Sequence, residues 1–220
     1  MVAVKICGIL TIEDAFVAAE AGADLLGLNF YRGSARYIEP DTAALLASEL
    51  RASLGPACPV LVGLFVNEAV GTISTTMEKV GFRLAQLSGD ESPDVLRELR
   101  HTAYKAIRPR SAAEAAEDSA VFDGLGPEDT LAPSLLVDAY HPNLYGGTGE
   151  SASADVFQAA GGERVMLAGG LTPDNVAERI GLLRPWGIDV ASGVEFPGQP
   201  GRKDPARVRA FVAAAKGEPS

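Results

Sequence analysis

The sequence predicts an α/β protein that folds as one (β/α)8 TIM barrel, a single domain over residues 1–220. Eight short apolar, β-branched runs alternate with eight runs whose apolar residues recur at helical spacing. Such alternation implies parallel strands joined by right-handed crossovers, and eight units in roughly 200–250 residues match the size of a closed barrel. An open doubly wound sheet is the alternative, but it normally has G-x-G-x-x-G after its first strand, where this chain reads CGILTIED.

The predicted elements follow one another as strand–helix pairs. In the first pair, Thr11 and Asp14 form a capping-box-like helix start, and Gly22 marks the helix end. In the seventh pair, Thr172 is predicted as the N-cap and Pro173 as the first helical residue. The eight pairs, strand first, are 2–7 with 10–24, 25–30 with 40–52, 59–66 with 68–80, 83–88 with 93–101, 103–107 with 111–120, 134–139 with 154–160, 164–170 with 172–183, and 187–192 with 204–216.

Composition and charge predict a soluble protein of the cytoplasm. Apolar residues make up 47% of the chain and charged residues 22%, no apolar run is long enough to span a bilayer, and the N-terminus lacks the features of a signal peptide. The two cysteines, Cys7 and Cys58, cannot form a disulfide framework, so we expect free thiols. A net charge of −10 argues against nucleic acid or an anionic membrane as a partner, and an anionic ligand therefore needs a local positive site.

The C-terminal ends of the predicted strands hold the candidate functional residues, because active sites of (β/α)8 barrels lie at that face. Cys58 comes at the start of strand 3 and belongs to the opposite face. His101 and His141 lie away from the strand ends, so no metal site is expected. The candidates are Cys7, Asn29 with the loop to Arg36, Val66, Asn67, residues 86–88, Arg108, Asp138, Gly169, Gly170, Ser192 and Gly193.

Cys7 and Asp138 are the candidate base and acid. A buried cysteine is most often a small core residue, but a thiol at the catalytic face acts as a base once nearby positive charge lowers its pKa below about 8.5. Lys5, on the same side of the same strand, either supplies that charge or is a polar residue of the barrel interior. Asp138 is either a turn residue or a general acid that faces Cys7 across the barrel mouth. Arg36 is either a solvated surface charge or a bidentate partner for a carboxylate.

The loops after strands 7 and 8 form the candidate phosphate site. Gly169 and Gly170 in one loop, and Ser192 and Gly193 in the other, offer backbone amides near a helix N-terminus. This pair of loops is the usual phosphate position in phosphate-binding barrels, although the glycines could also serve only the turn. Gly147 in the YGGTG run is a weaker candidate, because a flexible loop explains that run equally well.

Taken in order, the motifs resemble the phosphoribosylanthranilate isomerase family of tryptophan biosynthesis over nearly the whole chain. The resemblance implies a cofactor-free Amadori rearrangement of N-(5-phosphoribosyl)anthranilate, with Asp138 as general acid on the ribose ring oxygen and Cys7 as base at C2. It implies that Arg36 contacts the anthranilate end and that the amides of loops 7 and 8 hold the phosphate. The motifs are KICGI, GADLLGLNFY, SARYI, GLFVN, QLSGDE, LLVDAY, YGGTG, LAGGLTPDNV, GIDVASGVE and GRKD.

Gln86, Gly147 and Asp189 lie within these motifs and are included among the implied substrate-binding residues. The chain departs from the family at two points. Ser88 stands where the family usually has the histidine of Gln-Leu-His-Gly, and SASADVF (151–157) replaces a Phe-Asp-Trp pattern beyond the glycine-rich loop. Both changes concern the aglycone pocket, so efficiency or the identity of the arylamine can differ.

Two other functions stay open. One is a neighbouring phosphosugar barrel, such as the histidine-pathway isomerase, which has an aspartate where this chain has Cys7. The other is a barrel that has lost turnover and only binds a phosphate ligand; both Cys7 and Asp138 argue against it, whereas QLSG keeps it open. The expected partner is a small-molecule substrate, and the protein is expected to be a monomer or a homodimer.

Overall fold

The structure, a computed structural model, describes residues 2–138 and 153–217. In these residues eight parallel strands close into a barrel in the order of the sequence, so the predicted fold class is confirmed. The strands are β1 (Ala3–Cys7), β2 (Leu25–Asn29), β3 (Val60–Phe65), β4 (Leu84–Leu87), β5 (Ala103–Ile107), β6 (Leu135–Val137), β7 (Val165–Leu167) and β8 (Gly187–Val190). The helices are α1 (Ile12–Glu20), α2 (Pro40–Leu54), α3 (Val70–Val80), α4 (Pro93–Glu98), α5 (Ala112–Phe122), α6 (Ala154–Ala160), α7 (Val176–Leu183) and α8 (Pro205–Lys216).

The barrel interior is filled by side chains, because alternate residues of each strand point inward. The barrel closes because the first strand, β1, pairs with the last strand, β8, as well as with β2. Lys5 of β1 is paired with Leu25 of β2 on one side and with Asp189 of β8 on the other. A larger core lies between the strands and the helices. The buried residues of the smaller, interior core are Leu25, Val62, Leu84, Tyr104, Ala106, Ala132, Leu136, Met166 and Ala168. Since this core occupies the interior, room for a ligand is left at the two ends of the barrel.

Side-chain caps mark the starts of two helices, one of them predicted. Thr11 caps α1, its hydroxyl accepting a hydrogen bond from the Asp14 amide at 3.1 Å, as predicted. The carboxylate of Asp204 accepts from the Ala206 amide at 2.9 Å at the start of α8, where Pro205 is the first helical residue. These side chains satisfy amides that have no partner within the helix.

The predicted start of α7 is wrong. The helix begins at Val176, with Asn175 at the N-cap position, rather than at Pro173 after Thr172. The Asn175 side chain accepts from the Thr172 amide at 2.8 Å and donates to the Gly170 carbonyl at 2.9 Å. These two bonds hold the segment before the helix as a turn, which the N-cap preference of threonine did not reveal.

The other boundaries shift modestly. Helix α4 ends at Glu98 rather than at residue 101, because Arg100 and His101 adopt left-handed φ angles of 49° and 64°. His101 therefore lies between α4 and β5, away from the mouth, as predicted. Cys58 precedes β3 and so lies at the opposite face, also as predicted. Within residues 2–138 and 153–217, no helix is both long and apolar enough to cross a membrane.

Candidate active site

A cavity at the C-terminal mouth brings together residues from seven of the eight strands and the loops that follow them. The predicted acid and base, Asp138 and Cys7, meet there with Arg36, Gln86 and Asp189 of the implied substrate-binding residues. The strand-end rule thus brought together Cys7 and Asp138, which are 131 residues apart in sequence, whereas Asp189 was implied by the resemblance. The complete lining is Cys7, Asn29, Ser34, Arg36, Leu64, Gln86, Ser88, Ala106, Arg108, Asp138, Asp189 and Ala191.

A second cavity adjoins the first and is built from the loops after β7 and β8. It contains the four predicted phosphate-loop residues, together with Asp138 and Asp189. Asp138, Asp189 and Ala191 line both cavities, so these residues form the junction between them. The second lining is Asp138, Ala168, Gly169, Gly170, Leu171, Asp189, Val190, Ala191, Ser192 and Gly193.

Cys7 is the last residue of β1 and is only 5% exposed. Gly27, its partner across the ladder, makes room for it: a Cβ at Gly27 would lie 2.7 Å from Cys7 Sγ and 3.1 Å from Lys5 Nζ. Burial raises the pKa of the Cys7 thiol, and the nearby Lys5 and Lys203 ammonium groups counteract this only in part. The expectation that positive charge lowers this pKa is therefore wrong for the free protein, because burial outweighs both cations.

Lys5 has its buried partner in Asp189. Its Nζ donates to Asp189 Oδ1 at 2.9 Å, and the lysine is fully buried. Burial opposes the charged form, but the Asp189 carboxylate outweighs it and raises the pKa of Lys5 above its ordinary value. The ammonium group therefore stays protonated beside Cys7, where it stabilises a thiolate whenever one forms.

Arg36 is a bidentate partner for a carboxylate, but that carboxylate is in the protein. Its Nε donates to Glu195 Oε1 at 2.7 Å and its Nη2 donates to Glu195 Oε2 at 2.8 Å. Glu195 also accepts from Lys203 Nζ at 3.0 Å. Sequence reasoning did not single out Glu195 or Lys203; their presence in the SGVE and GRKD motifs was the available signal.

Ser88, at the position where the resemblance led us to expect a histidine, belongs to a buried chain of hydrogen bonds. The Tyr104 hydroxyl donates to Gln86 Oε1 at 2.9 Å, and Gln86 Nε2 donates to Ser88 Oγ at 3.0 Å. Burial raises the pKa of Tyr104, which keeps the phenol neutral and able to donate. The chain fixes the Gln86 amide on the floor of the mouth and leaves Ser88 lining the cavity beside Arg108.

The loop after β4 is fastened by a buried ion pair outside the cavity. Lys105 Nζ donates to Glu91 Oε2 at 2.9 Å and to the Gly89 carbonyl at 2.7 Å. Glu91 Oε1 in turn accepts from the Asn67 amide at 2.8 Å. Asn67 and Val66 were predicted at the site, but they lie outside the lining of both cavities. Asn67 instead helps to hold the segment that carries Ser88.

The two phosphate-loop segments pack closely against each other. Gly169 and Gly170 adopt left-handed φ angles of 88° and 57°, and a Cβ at Gly193 would overlap the Leu171 carbonyl oxygen. Among the hydrogen bonds of residues 2–138 and 153–217, none uses the amides of Gly170, Ser192 or Gly193 as a donor. These amides are therefore available to an anionic ligand in the second cavity.

Two predicted features lie outside the described residues. Gly147, with the rest of the YGGTG run, and His141 both fall between residues 139 and 152. In the part of the chain that the structure describes, no group of three or more His, Cys, Asp or Glu side chains is placed to hold a metal ion.

Gly27→Ala is expected to lower kcat at least tenfold. The added methyl group would lie 2.7 Å from Cys7 Sγ, so the thiol has to rotate away from its position over β2. Gly181→Ala is the matched control, because Gly181 is an exposed residue of α7 with nothing within 4 Å of an added Cβ, and alanine favours helix by about 1 kcal/mol. Steady-state rates of the two variants test the prediction; equal rates would contradict it.

The sequence model of the family described as "N-(5'phosphoribosyl)anthranilate (PRA) isomerase" matches residues 4–214. The N-(5'-phosphoribosyl)anthranilate isomerases of Trichlorobacter lovleyi and Citrifermentans bemidjiense are each 44% identical, with 98% of this chain and 98% of each relative covered. Among solved structures, phosphoribosyl anthranilate isomerase from Thermotoga maritima superimposes with a TM-score of 0.83 at 32% identity, covering 99% of this chain and all of that one. A structure of such an isomerase in complex with reduced 1-(o-carboxyphenylamino)-1-deoxyribulose 5-phosphate gives a TM-score of 0.80 at 32% identity and the same coverage. With its barrel and both strand-end cavities in place, the chain belongs to the N-(5'-phosphoribosyl)anthranilate isomerase family.

Proposed function

We propose that the chain isomerises N-(5-phosphoribosyl)anthranilate in tryptophan biosynthesis, with Asp138 as general acid and Cys7 as general base. Family membership supports the reaction. The observation that carries the assignment of roles is that Cys7 and Asp138 line one cavity, while Asp138 also borders the glycine-lined cavity next to it. A residue at that junction adjoins the middle of any ligand that fills both cavities.

The two cavities match the two ends of this substrate. The phosphate group suits the amides of Gly170, Ser192 and Gly193, which form an anion site of backbone donors. The anthranilate ring suits the larger mouth, beside Arg36 and Ser88. The ribose then spans the junction.

The reaction begins with ring opening. Asp138 gives its proton to the ribose ring oxygen as the bond between that oxygen and C1 breaks, and the nitrogen lone pair forms an iminium bond to C1. The Cys7 thiolate then removes the proton from C2, and the C–H electron pair forms a C1=C2 bond while the iminium pair returns to nitrogen. The proton on Cys7 returns at C1, and the proton of the C2 hydroxyl restores the Asp138 acid. The atoms and electrons balance within one molecule, so the proposal requires no redox cofactor.

The order of the two steps explains how a buried thiol serves as the base. In the free protein, burial raises the pKa of Cys7, so the thiol form is favoured. Ring opening creates a positive iminium group next to the thiol. This charge acts together with those of Lys5 and Lys203, and the thiol releases its proton to solvent through the mouth cavity that it lines. An opposite charge nearby favours the thiolate. The acid step therefore prepares the base step.

The test is a loss of anthranilate-type fluorescence when freshly formed N-(5-phosphoribosyl)anthranilate is mixed with the purified protein. We expect a catalysed decrease that saturates with substrate. Binding of a reduced product analogue without any catalysed decrease would contradict the proposal and identify a barrel that only binds phosphate ligands. That alternative rests on Ser88 and on the changed 151–157 segment.

The proposal also covers the oligomeric state and the cellular location of the protein. A related structure describes the Thermotoga maritima enzyme as dimeric. For this chain, monomer or homodimer stays a prediction, as does a cytoplasmic location.

A further inference from the structure

We propose that Glu195 is a positioning residue that presents Arg36 to the carboxylate of the anthranilate ring and thereby sets the preference for a carboxylated aglycone. The proposal rests on the proposed function, and it gives a role in substrate recognition to a residue that is neither the acid, the base nor one of the phosphate-binding amides. Its basis is the geometry around Arg36: two sets of contacts fix the arginine directly and a third fixes it through Glu195.

The first set of contacts joins Arg36 to the Glu195 carboxylate. Its two oxygens receive Arg36 Nε at 2.7 Å and Nη2 at 2.8 Å, a parallel pair of charge-assisted bonds. The planar guanidinium group then has a single orientation, and Nη1 is the nitrogen that this pair leaves over. Glu195 is only 6% exposed, so solvent does not compete for the contact.

The second set of contacts is made by Lys203, which fixes Glu195 and so acts on Arg36 only indirectly. Lys203 Nζ donates to Glu195 Oε1 at 3.0 Å and to the Ala191 carbonyl at 3.0 Å. Burial opposes ionisation of Glu195, but Arg36 and Lys203 together hold the pKa of its carboxyl group below the usual range. The carboxylate is therefore charged at neutral pH and is linked through Lys203 to Ala191, a residue that lines both cavities.

The third set of contacts is between the Arg36 side chain and the backbone at Gly8, the residue after Cys7. A Cβ at Gly8 would lie 2.5 Å from Arg36 Cδ, so the arginine stem crosses directly over the residue that follows Cys7. The Arg36 amide also donates to Ser34 Oγ at 3.1 Å, and Asn29 Nδ2 donates to the same oxygen at 3.2 Å. Arg36 therefore reaches the mouth in a fixed position beside Cys7, and Glu195 decides which way its guanidinium faces.

The experiment compares two substrates in two proteins. N-(5-phosphoribosyl)anthranilate and N-(5-phosphoribosyl)aniline differ only in the ring carboxylate, and product formation from each is followed by chromatography. In the wild type, kcat/KM should favour the anthranilate substrate. In Glu195→Gln, which keeps the size of the side chain but loses its charge, this preference should fall roughly 10- to 100-fold, mainly through a higher KM for the anthranilate substrate.

Glu39→Gln is the matched control. Glu39 pairs with Arg32 near the same loop, but both side chains are more than half exposed, so the substrate preference should stay that of the wild type. Glu195→Asp keeps the charge at shorter reach and should lose less of the preference than Glu195→Gln. It also serves as the test variant if the glutamine variant fails to fold.

The outcomes separate this inference from the function on which it rests. A reduced preference in Glu195→Gln with partial rescue by aspartate supports the positioning role. Equal losses for both substrates would show a purely structural contribution and would overturn it. A wild-type protein that converts neither substrate would overturn the proposed function itself, and this inference with it.

Discussion

Replacing Cys7 with alanine or serine is expected to reduce kcat by roughly 10²- to 10⁴-fold, the usual contribution of general acid–base catalysis. Cys7 lines the mouth cavity at the end of β1, next to the ammonium group of Lys5. Alanine has no proton acceptor, and the serine hydroxyl is a far weaker acid than a thiol, so neither forms the anion that removes the C2 proton.

The fold of both Cys7 variants should persist. The side chain is small, and its loss is expected to cost about 1 kcal/mol, which corresponds to a shift of roughly 2–4 °C in the melting temperature of a chain of this size. Cys58→Ser is the matched control, because Cys58 is the other free cysteine and lies at the opposite face. Initial rates with N-(5-phosphoribosyl)anthranilate decide the matter; near-wild-type turnover in Cys7→Ser would refute the role of the base.

Asp138→Asn is expected to reduce kcat by a similar factor, roughly 10²- to 10⁴-fold. The residue follows β6, and its amide donates to the Ile107 carbonyl at 3.0 Å, which fixes the backbone at the junction of the two cavities. Asparagine keeps the size and this backbone bond but cannot release a proton to the ring oxygen. The ring therefore stays closed.

The control for this variant is Asp94→Asn. Asp94 is an exposed residue of α4 that pairs with Arg97 on the same helix, so its charge should not affect turnover. Initial rates and thermal melts of both variants check the prediction. If Asp138→Asn kept most of its activity, the acid would have to be another group at the mouth.

The fold could be predicted from the sequence because it rests on periodicity that is local to each element. Runs such as AYKAI needed no distant information, and β5 is Ala103–Ile107 as predicted. The start of helix α7 was predicted wrongly because the Asn175 side chain forms hydrogen bonds with Gly170 and Thr172. N-cap propensity alone does not decide between Thr172 and Asn175 as the cap.

The candidate site was predicted less completely. The strand-end rule brought Cys7, Arg36, Gln86 and Asp138 together, because closure of the barrel gathers all the C-terminal strand ends. Pairings between distant loops could not be predicted: Arg36 and Glu195 are 159 positions apart, and their contact exists only once β8 has closed on β1.

The space and the burial around Cys7 could not be predicted from the sequence either. Gly27 gives no sign in the sequence that it makes room for a thiol and an ammonium group. The direction of the Cys7 pKa shift depended on burial against two cations, a balance that only the folded structure provides.

The central claim is that Asp138 opens the ring before Cys7 removes the C2 proton, and trapping the ring-opened imine tests it most directly. Cys7→Ala and Asp138→Asn are each mixed with N-(5-phosphoribosyl)anthranilate and cyanoborohydride, and the reduced open-chain amine is quantified against a reaction without protein. We predict trapped amine above this background with Cys7→Ala, because ring opening proceeds and the next step is blocked, and background amounts with Asp138→Asn. Equal amounts with the two variants, or more with Asp138→Asn, would contradict the assignment of acid and base.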